Sequence, residues 1–262
     1  MLFGWNMNKG ISFYFGFNLN PELAAKLIKE AGFTSVITNA DKKFKYQNGS
    51  IRKQIKIFKK YGIKLSSLHM QYNKDELPYF WQEGKIGEHL KRRLIKDVKL
   101  AKKYGFTCVV VHLYGKYTKI GEKRLREILT LCEKVNVPLA IENIDCQMLF
   151  LEVFKNMSSP MLKFCYDSGH NHVFDPDFDY LTNFSDKLIA LHLHDNDGTA
   201  DQHTLNKFGN INWKEIAKKL KGHEDISLDY EILYRAKNNL TEKDVLAIVK
   251  NQADELEKMI KA

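Results

Sequence analysis

Six residues that can bind a metal ion lie at or near the ends of short apolar segments spread over most of the chain. They are three histidines and three carboxylates, namely His69, His112, Glu142, Asp167, His192 and Glu231. Neutral imidazole and carboxylate groups suit Zn²⁺, Mn²⁺ or Fe²⁺ as ligands. A charged group in an apolar strand is costly to desolvate unless it is paired or bound to a metal. A shared divalent ion therefore explains all six residues together.

Two further clusters of ligand-type residues lie directly after two of these apolar segments. One is Asp167-Ser-Gly-His170, and the other extends from His192 to Asp201-Gln-His203. Because each cluster begins with one of the six residues above, its members are expected near the same site. His170, Asp201 and His203 are therefore candidate ligands of a second metal ion or contacts to a substrate.

Each histidine also has an ordinary structural explanation, since an isolated histidine in a strand is usually a hydrogen-bonded residue of the core or of a loop. Glu142 and Glu231 are harder to explain in this way, because carboxylates are rarely fully buried without a partner. Of His192 and His194, only one is expected to face the centre of the fold, and we choose His192. The histidines left out of the site are expected at the surface or behind the ligands: His89, His172 and His223.

The elements that must position these residues follow a repeating pattern of strand and helix. Apolar segments rich in β-branched residues alternate with amphipathic segments that end at glycine or asparagine, as at Gly105 and Asn136. Asn20-Pro21 and Thr241 with Asp244 are typical helix starts. The eight expected strands lie near residues 11–17, 34–39, 64–70, 108–113, 138–144, 162–167, 188–194 and 226–232.

Eight strands that alternate with eight helices predict an α/β fold with one domain over residues 1–262, a single (β/α)8 TIM barrel. An open, doubly wound sheet is the alternative. In a parallel barrel the carboxyl ends of all strands meet at one rim, so ligands that are distant in sequence would converge there. The fold prediction and the metal-site prediction therefore support each other.

Composition restricts the class of protein. No apolar segment reaches the roughly 20 residues of a membrane-spanning helix, and Met1–Gly10 lacks the pattern of a signal peptide. No two of the four cysteines are spaced as C-x-x-C, which predicts reduced, structural thiols. The formal charge of +9 could indicate an anionic partner, but the lysines are scattered over every predicted helix, which favours a solvated surface. We therefore expect a cytoplasmic protein without a membrane partner.

The chain resembles the xylose isomerase-like TIM-barrel superfamily, which contains sugar phosphate isomerases and epimerases, ketose 3-epimerases and the endonuclease IV group. The resemblance covers most of the chain from the third predicted strand onward. Its segments are SLHMQYN, VVVHLYG, IEN, CYDSGHNHVF, ALHLHDNDGTADQH with FGNINW, and LDYE. Together these motifs are specific for the superfamily, whereas each alone is weak. Barrels of this class often pair, so a homodimer is a further expectation.

In ketose epimerases, the resemblance implies one metal ion bound by residues that match Glu142, Asp167, His192 and Glu231. The two glutamates also perform the proton transfers there, and a match to His170 contacts substrate. In endonuclease IV, three zinc ions are bound by matches to these residues together with His69, His112, Asp201 and His203. Every position is occupied suitably in this chain. The expected cofactor is therefore one to three divalent ions of Zn, Mn, Mg or Fe.

Two departures from endonuclease IV favour a sugar enzyme. The opening FYFGFNLNPELAAK lacks the expected histidine-containing, glycine-rich loop, and other loops are short for DNA-reading insertions. Against a simple epimerase, Asp201 and His203 do not match the usual substrate-binding arginine. The first hypothesis is a metal-dependent isomerase or epimerase with a small sugar or sugar phosphate as partner. The second is zinc-dependent cleavage of abasic DNA, the only case with a nucleic-acid partner, and the third is a non-catalytic sugar- or metal-binding barrel.

Isomerisation and epimerisation both remove a proton next to a carbonyl and return one to the neighbouring carbon or to the opposite face. Glu142 and Glu231 would act as base and acid, while a metal ion would stabilise the enediolate. Tyr72, Trp81 and Tyr114 are candidate walls of the pocket, although aromatic residues in such loops are equally often packing residues.

Overall fold

The computed structural model describes residues 6–40, 49–70, 73–235 and 239–262. Within these ranges, eight strands overlap the eight that the sequence predicts. They are β1 Lys9–Ser12, β2 Ser35–Asn39, β3 Lys64–His69, β4 Cys108–Val111, β5 Leu139–Glu142, β6 Leu162–Asp167, β7 Leu188–His192 and β8 Leu228–Tyr230.

All eight strands are parallel neighbours in one sheet, in the order β7-β6-β5-β4-β3-β2-β1-β8. The two end strands approach each other just beyond β7, where Leu193 forms a parallel bridge with Tyr230. Leu193 N donates to Asp229 O at 2.9 Å, and Glu231 N donates to Leu193 O at 3.0 Å. The sheet is therefore a nearly closed TIM barrel, which confirms the predicted fold class over the open sheet.

Helices follow the strands through the described ranges. They are α1 Pro21–Glu30, α2 Ile51–Lys60, α3 Lys85–Tyr104, α4 Lys119–Val135, α5 Gln147–Asn156, α6 Ser168–Phe174, α7 Tyr180–Asn183, α8 Trp213–Lys219 and α9 Glu242–Lys261. Short 3-10 segments lie at Leu77–Trp81, Ser185–Lys187 and Asn206–Phe208. None of the helices in the described ranges is long and apolar enough to cross a membrane.

The helix ends form where the sequence predicts them. Asn20 Oδ1 accepts the backbone N–H of Glu22 at 2.9 Å, and Thr241 and Asp244 form a reciprocal capping box at the start of α9. Gly105 follows α3 in the left-handed region, at φ 81°. Glycine adopts this conformation without the steric cost of a Cβ atom. These caps fix the lengths of the helices and thereby the register of strand and helix.

The first strand differs from its prediction, because it begins two residues earlier and ends at Ser12 rather than near residue 17. Past Ser12, Phe13 N still donates to Ile37 O at 3.0 Å. The aromatic residues that follow pack into the core instead of continuing the strand, and Phe13 lies edge-on to Phe58 with ring centroids 4.6 Å apart. Aromatic residues favour strands in sequence patterns, which explains the error.

The interior of the barrel is filled by small side chains. Cys108, Val110, Ala140, Cys165 and Ala190 form one buried cluster there. Residues two apart on a strand project to the same face. The residues two positions after Ala140, Cys165 and Ala190 therefore lie one layer higher, at the carboxyl rim, and these are three of the predicted ligands.

A buried charge cluster joins β1 to the last helix at the opposite end of the barrel. Lys9 Nζ lies 2.8 Å from Asp254 Oδ1 and donates a hydrogen bond to Glu257. Glu257 Oε1 also accepts from Met7 N at 2.8 Å and from Lys261 Nζ at 2.5 Å. Burial opposes the charge of Glu257, but these donors outweigh it and lower the pKa of Glu257 to about 2. The cluster therefore stabilises the packing of β1 against α9.

Candidate metal centre

A different strand end positions each of the six predicted ligands. His69, Glu142, Asp167 and His192 are the last residues of β3, β5, β6 and β7. His112 and Glu231 directly follow β4 and β8. Five of the six residues are buried, while the side chain of Glu231 is 24% exposed. The structure thus brings all six to one end of the barrel, with Glu231 nearest to solvent.

Glu142 is the carboxylate around which the histidines gather. Its Oε2 lies 3.1 Å from His192 Nδ1, 3.2 Å from His112 Nε2 and 3.4 Å from His69 Nε2. Its Oε1 lies 3.2 Å from His170 Nδ1. Four imidazoles therefore contact one carboxylate whose side chain is only 1% exposed.

Asp167 and Glu231 complete the first group of ligand atoms. Glu231 Oε2 lies 2.9 Å from His192 Nδ1, the same ring atom that contacts Glu142. One ligand atom from each of Glu142, Asp167, His192 and Glu231 lies within 4.8 Å of the other three. The same spacing holds for His69 with Glu142 and His192. These distances are compatible with one or two ions that share Glu142.

A second group of ligand atoms lies beside the first, around Asp201. Asp201 Oδ2 is 3.2 Å from His203 Nε2 and 3.4 Å from His170 Nε2, and Asp201 Oδ1 is 3.7 Å from His194 Nε2. Ligand atoms of all four residues lie within 4.8 Å of one another. The structure therefore brings Asp201 and His203 to the site, as the sequence predicts.

The expectation that only one of His192 and His194 faces the centre is wrong. Both side chains are fully buried, and both contact predicted ligands. Residues two positions apart in an extended chain project to the same face. The sequence HLH after an apolar strand should therefore have included both residues. The histidines left out for other reasons lie elsewhere, since His89 is exposed and His172 and His223 contact Asn210 and Ser185.

Backbone carbonyls orient three of the imidazoles. His69 Nδ1 lies 2.8 Å from Met70 O, His170 Nδ1 lies 3.0 Å from Asn143 O, and His203 Nδ1 lies 2.8 Å from Glu231 O. A carbonyl oxygen can only accept, so in each ring Nδ1 is the donor. Nε2 then carries the lone pair in the neutral ring, and it faces Glu142 in His69 and Asp201 in both His170 and His203. Metal-binding histidines are commonly fixed in this way.

The charges of the site depend on one another. Burial opposes the charged form of Glu142, but His112 and His192 outweigh it and hold the pKa of Glu142 well below its ordinary value. Burial also opposes the charge of His203, but Asp201 raises the pKa of His203 to about 9. The carboxylates therefore require positive charge beside them. Because a metal ion needs deprotonated ligands, its binding would replace these protons.

The donor atoms fit a divalent cation. Both carboxylate oxygens of Glu142 and Nδ1 of His192 are buried, and among the described residues they approach opposing groups without well-directed hydrogen bonds. Atoms that point to a common centre rather than to one another are what an ion requires. Imidazole nitrogen and carboxylate oxygen suit Zn²⁺, Mn²⁺ or Fe²⁺.

Asn143 is a residue of the site that the sequence analysis did not single out. Its Nδ2 donates to Asp167 O at 2.9 Å, and its Oδ1 accepts from Asp167 N at 2.8 Å. Its carbonyl orients His170. The available sequence signal was a polar residue directly after Glu142, where the chain leaves β5 but is still buried. Asn143 thus links Asp167 at the end of β6 and His170 on α6 to the strand that carries Glu142.

The predicted pocket walls have different outcomes. Trp81 is 1% exposed, and its ring packs 5.4 Å from that of Tyr117 and directly against Gly121 of α4, so it is a packing residue. Tyr114 is half-buried at the rim, where Lys74 Nζ lies 4.9 Å from its ring centroid. Tyr72 lies outside the described residues.

A protein family and several known proteins are similar in sequence to this chain. The family described as xylose isomerase-like TIM barrel matches residues 25–251. An uncharacterized protein of Sinorhizobium fredii is 27% identical over 236 residues, which cover 74% of this chain and 75% of that protein. An uncharacterized protein of Methanocaldococcus jannaschii is 29% identical over 131 residues. That match covers 48% of this chain and 51% of the archaeal protein.

Solved structures share the fold over nearly the whole chain. A D-tagatose 3-epimerase-like protein superposes with a TM-score of 0.77 at 18% identity, covering 97% of this chain and 98% of that one. D-psicose 3-epimerase of Clostridium cellulolyticum H10, solved with D-tagatose, has a TM-score of 0.74 at 15% identity. Coverage there is 97% of this chain and 99% of that one. At these identities the likeness establishes the barrel fold.

Proposed function

This chain belongs to the xylose isomerase-like TIM-barrel family, and on that premise we propose that it is a metal-dependent sugar or sugar phosphate isomerase or epimerase. The observation that carries the proposal is the pair of carboxylates at His192. Glu142 and Glu231 approach the same ring nitrogen, at 3.1 Å and 2.9 Å, from two different strand ends. Two carboxylates at one centre are what a proton transfer between two positions of a sugar needs. Solved relatives that are named as epimerases support this choice.

Glu142, Asp167, His192 and Glu231 would hold the catalytic ion. When bound, a divalent ion polarises the carbonyl group of the substrate and stabilises the negative charge of the enediolate. Asp167 is held by its backbone bonds to Asn143, and His192 is fully buried. These two residues would therefore fix the ion in place, while the glutamates remain available to the substrate.

The two glutamates would move the proton. One carboxylate accepts the proton from the carbon next to the carbonyl, and the C–H electron pair moves into the enediolate. A carboxylic acid then returns a proton to the neighbouring carbon or to the opposite face of the same carbon. Glu231 is the more exposed of the two, which favours it for first contact with the substrate. His170, whose Nε2 lies 3.4 Å from Asp201 Oδ2, would bind a substrate hydroxyl.

Hydrogen exchange between sugar and solvent tests this proposal. The protein, loaded with Zn²⁺, Mn²⁺, Mg²⁺ or Fe²⁺ in turn, is incubated in D₂O with a panel of ketoses, aldoses and their phosphates. Deuterium should appear at a carbon next to the carbonyl. Glu142→Gln and Glu231→Gln should abolish incorporation while the fold is kept, and the exposed control Glu30→Gln should not. Unchanged exchange in both site variants, or no exchange with any sugar and metal, would reject the proposal.

Hydrolysis of a phosphodiester in abasic DNA is a second candidate, and the second group of ligands favours it. Clustered ions can activate water and stabilise a leaving oxygen. His69 and His112 beside Glu142, and the group around Asp201, would provide positions for such ions. This candidate requires strand cleavage at an abasic site that depends on added Zn²⁺. Cleavage without deuterium incorporation into sugars would favour it over the first.

A further inference from the structure

Asp195 is a fully buried acid, three residues past the end of β7, that the proposed reaction does not use. It is absent from the groups of ligand-type side chains that lie close together among the described residues. Its Oδ1 accepts from Asn196 N at 2.9 Å and from Ile211 N at 3.1 Å. Its Oδ2 accepts from the indole Nε1–H of Trp213 at 2.6 Å. Both oxygens are therefore directed at donors of the segment that follows, and not at the ligands.

These bonds draw together the loop of residues 196–212, which connects β7 to α8. The backbone of Asp195 adds a further link, because its N–H donates to Thr204 O and its C=O accepts from Thr204 N, both at 3.0 Å. Gly209 packs so closely on the carboxylate that a Cβ atom at this position would overlap it. Asp195 thus contacts the 196–212 loop at its start, in its middle and at its end.

The 196–212 loop carries two side chains of the candidate metal centre, Asp201 and His203. His203 has a φ of 48°, in the left-handed region that residues with a Cβ atom seldom adopt. Its C=O accepts from Leu233 N at 3.0 Å, and its Nδ1 donates to Glu231 O at 2.8 Å. A backbone conformation of this kind persists only where the surrounding structure fixes it. The loop must therefore be held closed for His203 to remain at the rim.

We propose that Asp195 is a positioning residue whose carboxylate closes the base of the 196–212 loop and thereby holds Asp201 and His203 at the substrate site. The inference rests on the proposed function, since it takes this rim as the place where the substrate binds. Asp195 acts through the loop and does not contact the substrate. The loop is then fixed on two sides, by Asp195 at its base and by the backbone after β8 at His203.

Asparagine at position 195 separates the role of the second oxygen from that of side-chain volume. Its single oxygen can keep the bonds from Asn196 N and Ile211 N, but its NH₂ group then faces the indole N–H of Trp213. Two donors would oppose each other there. Trp213→Phe removes the indole donor and keeps an aromatic ring beside Tyr230, where the ring centroids are now 6.4 Å apart. The double variant should therefore be less disturbed than Asp195→Asn alone.

Amide hydrogen exchange of the metal-free protein measures closure of the loop. Asp195→Asn should accelerate exchange at the Thr204 and Ile211 amides by about 10-fold or more, because the loss of a hydrogen bond to a charged group corresponds to at least that factor. Amides of α3 should exchange as in wild type. Asp197→Asn is the matched control, because Asp197 is exposed in the same loop and accepts from Thr199 with one oxygen, which asparagine keeps. It should change none of these rates.

The His203 ring provides a readout that a general loss of stability would not produce. In the NMR spectrum of metal-free Asp195→Asn, the Nδ1–H signal of His203 should shift or disappear. The signal of His69, whose Nδ1 donates to Met70 O at 2.8 Å in the same site, should stay as in wild type. In the deuterium assay with the metal-loaded protein, kcat/KM should fall by about 10-fold or more. The double variant with Trp213→Phe should recover part of that loss.

The inference would be overturned if loop exchange and the His203 signal were unchanged in Asp195→Asn, or if exchange accelerated equally throughout the chain. It would also be overturned if Trp213→Phe added to the effect of Asp195→Asn instead of reducing it. If Asp195→Asn does not fold, Trp213→Phe alone should accelerate exchange at the same amides, and wild-type rates there would contradict the inference.

Hydrogen exchange and the ring signals need neither metal nor substrate. The expected loop behaviour without deuterium incorporation into any sugar would therefore reject the proposed reaction but not the closure of the loop by Asp195. Sugar exchange in wild type together with an unaltered loop in Asp195→Asn would do the reverse.

Discussion

Replacement of Asn143 by alanine should weaken both the fold and the metal centre. The side chain is 1% exposed, and it binds the backbone N–H and C=O of Asp167 at 2.8 and 2.9 Å. Alanine removes both hydrogen bonds, so the buried backbone N–H of Asp167 loses its partner and the C=O of Asp167 loses the Asn143 donor. The backbone of Asp167 would then be free to shift, and its carboxylate with it.

The magnitude follows from the hydrogen bonds that are lost. Each buried polar group that loses its partner costs about 1–3 kcal/mol. Partial entry of water would offset some of this cost, so Asn143→Ala should lower the free energy of unfolding by about 2–4 kcal/mol. Loss of residues that orient ligands typically costs roughly 10–100-fold in metal affinity. We expect a decrease of that order for the ion at Asp167.

Urea unfolding of metal-free protein measures the first quantity, and competition for Zn²⁺ with a chelator of known affinity measures the second. Asn183→Ala is a matched control, because the Asn183 amide also donates to a backbone carbonyl, at 2.7 Å, but at an exposed position. It should change either quantity little. The reasoning would be refuted if Asn143→Ala unfolded like this control and bound Zn²⁺ as tightly as wild type.

Three further predictions concern other parts of the chain. The lowered pKa of Glu257, about 2, means that its pairing with Lys261 and Lys9 stabilises the fold above the ordinary glutamate pKa and that this contribution is lost as pH falls toward 2. Glu257→Gln should therefore flatten the acid limb of a stability-against-pH curve, whereas Glu30→Gln should not. Trp81→Ala should lower stability by about 3–5 kcal/mol through the cavity it leaves; a change in substrate KM with unaltered stability would instead identify Trp81 as a pocket wall. Gly105→Ala should lower the free energy of unfolding, measured with denaturant, by about 1 kcal/mol, because φ is 81° there. An unchanged free energy of unfolding would contradict the importance of this helix end.

The alternation of strand and helix made the fold predictable from sequence. Helix ends such as Gly105 and Asn136 depend on local backbone chemistry, so short sequence segments were sufficient to place them. The ligands at the strand ends followed from the same alternation, since a parallel barrel brings all carboxyl ends together. The predicted first strand ended too late because Phe13 and the aromatic residues after it are typical of strands and of packed cores alike.

The details of the site depend on contacts between distant segments, which periodicity does not contain. Asn143 acts on Asp167 across neighbouring strands, and no spacing within one segment predicts that bond. The sequence left Trp81 as either a pocket wall or a packing residue, and Gly121 of α4 provides a tightly fitting surface for its ring. His194 differs, because the two-residue period of an extended chain was sufficient to predict its direction.

An ion bound at the proposed catalytic site would also affect the seam between β7 and β8. Backbone pairing across this seam is carried, within the described residues, by the bridge between Leu193 and Tyr230. His192 and Glu231 lie on its two sides and contact each other at 2.9 Å. An ion bound by both residues would stabilise the contact between β7 and β8, the least extensively paired neighbouring strands of the barrel. An ion that binds the folded but not the unfolded chain shifts the equilibrium toward the folded state by mass action. Its binding would therefore also favour closure of the barrel as the protein folds.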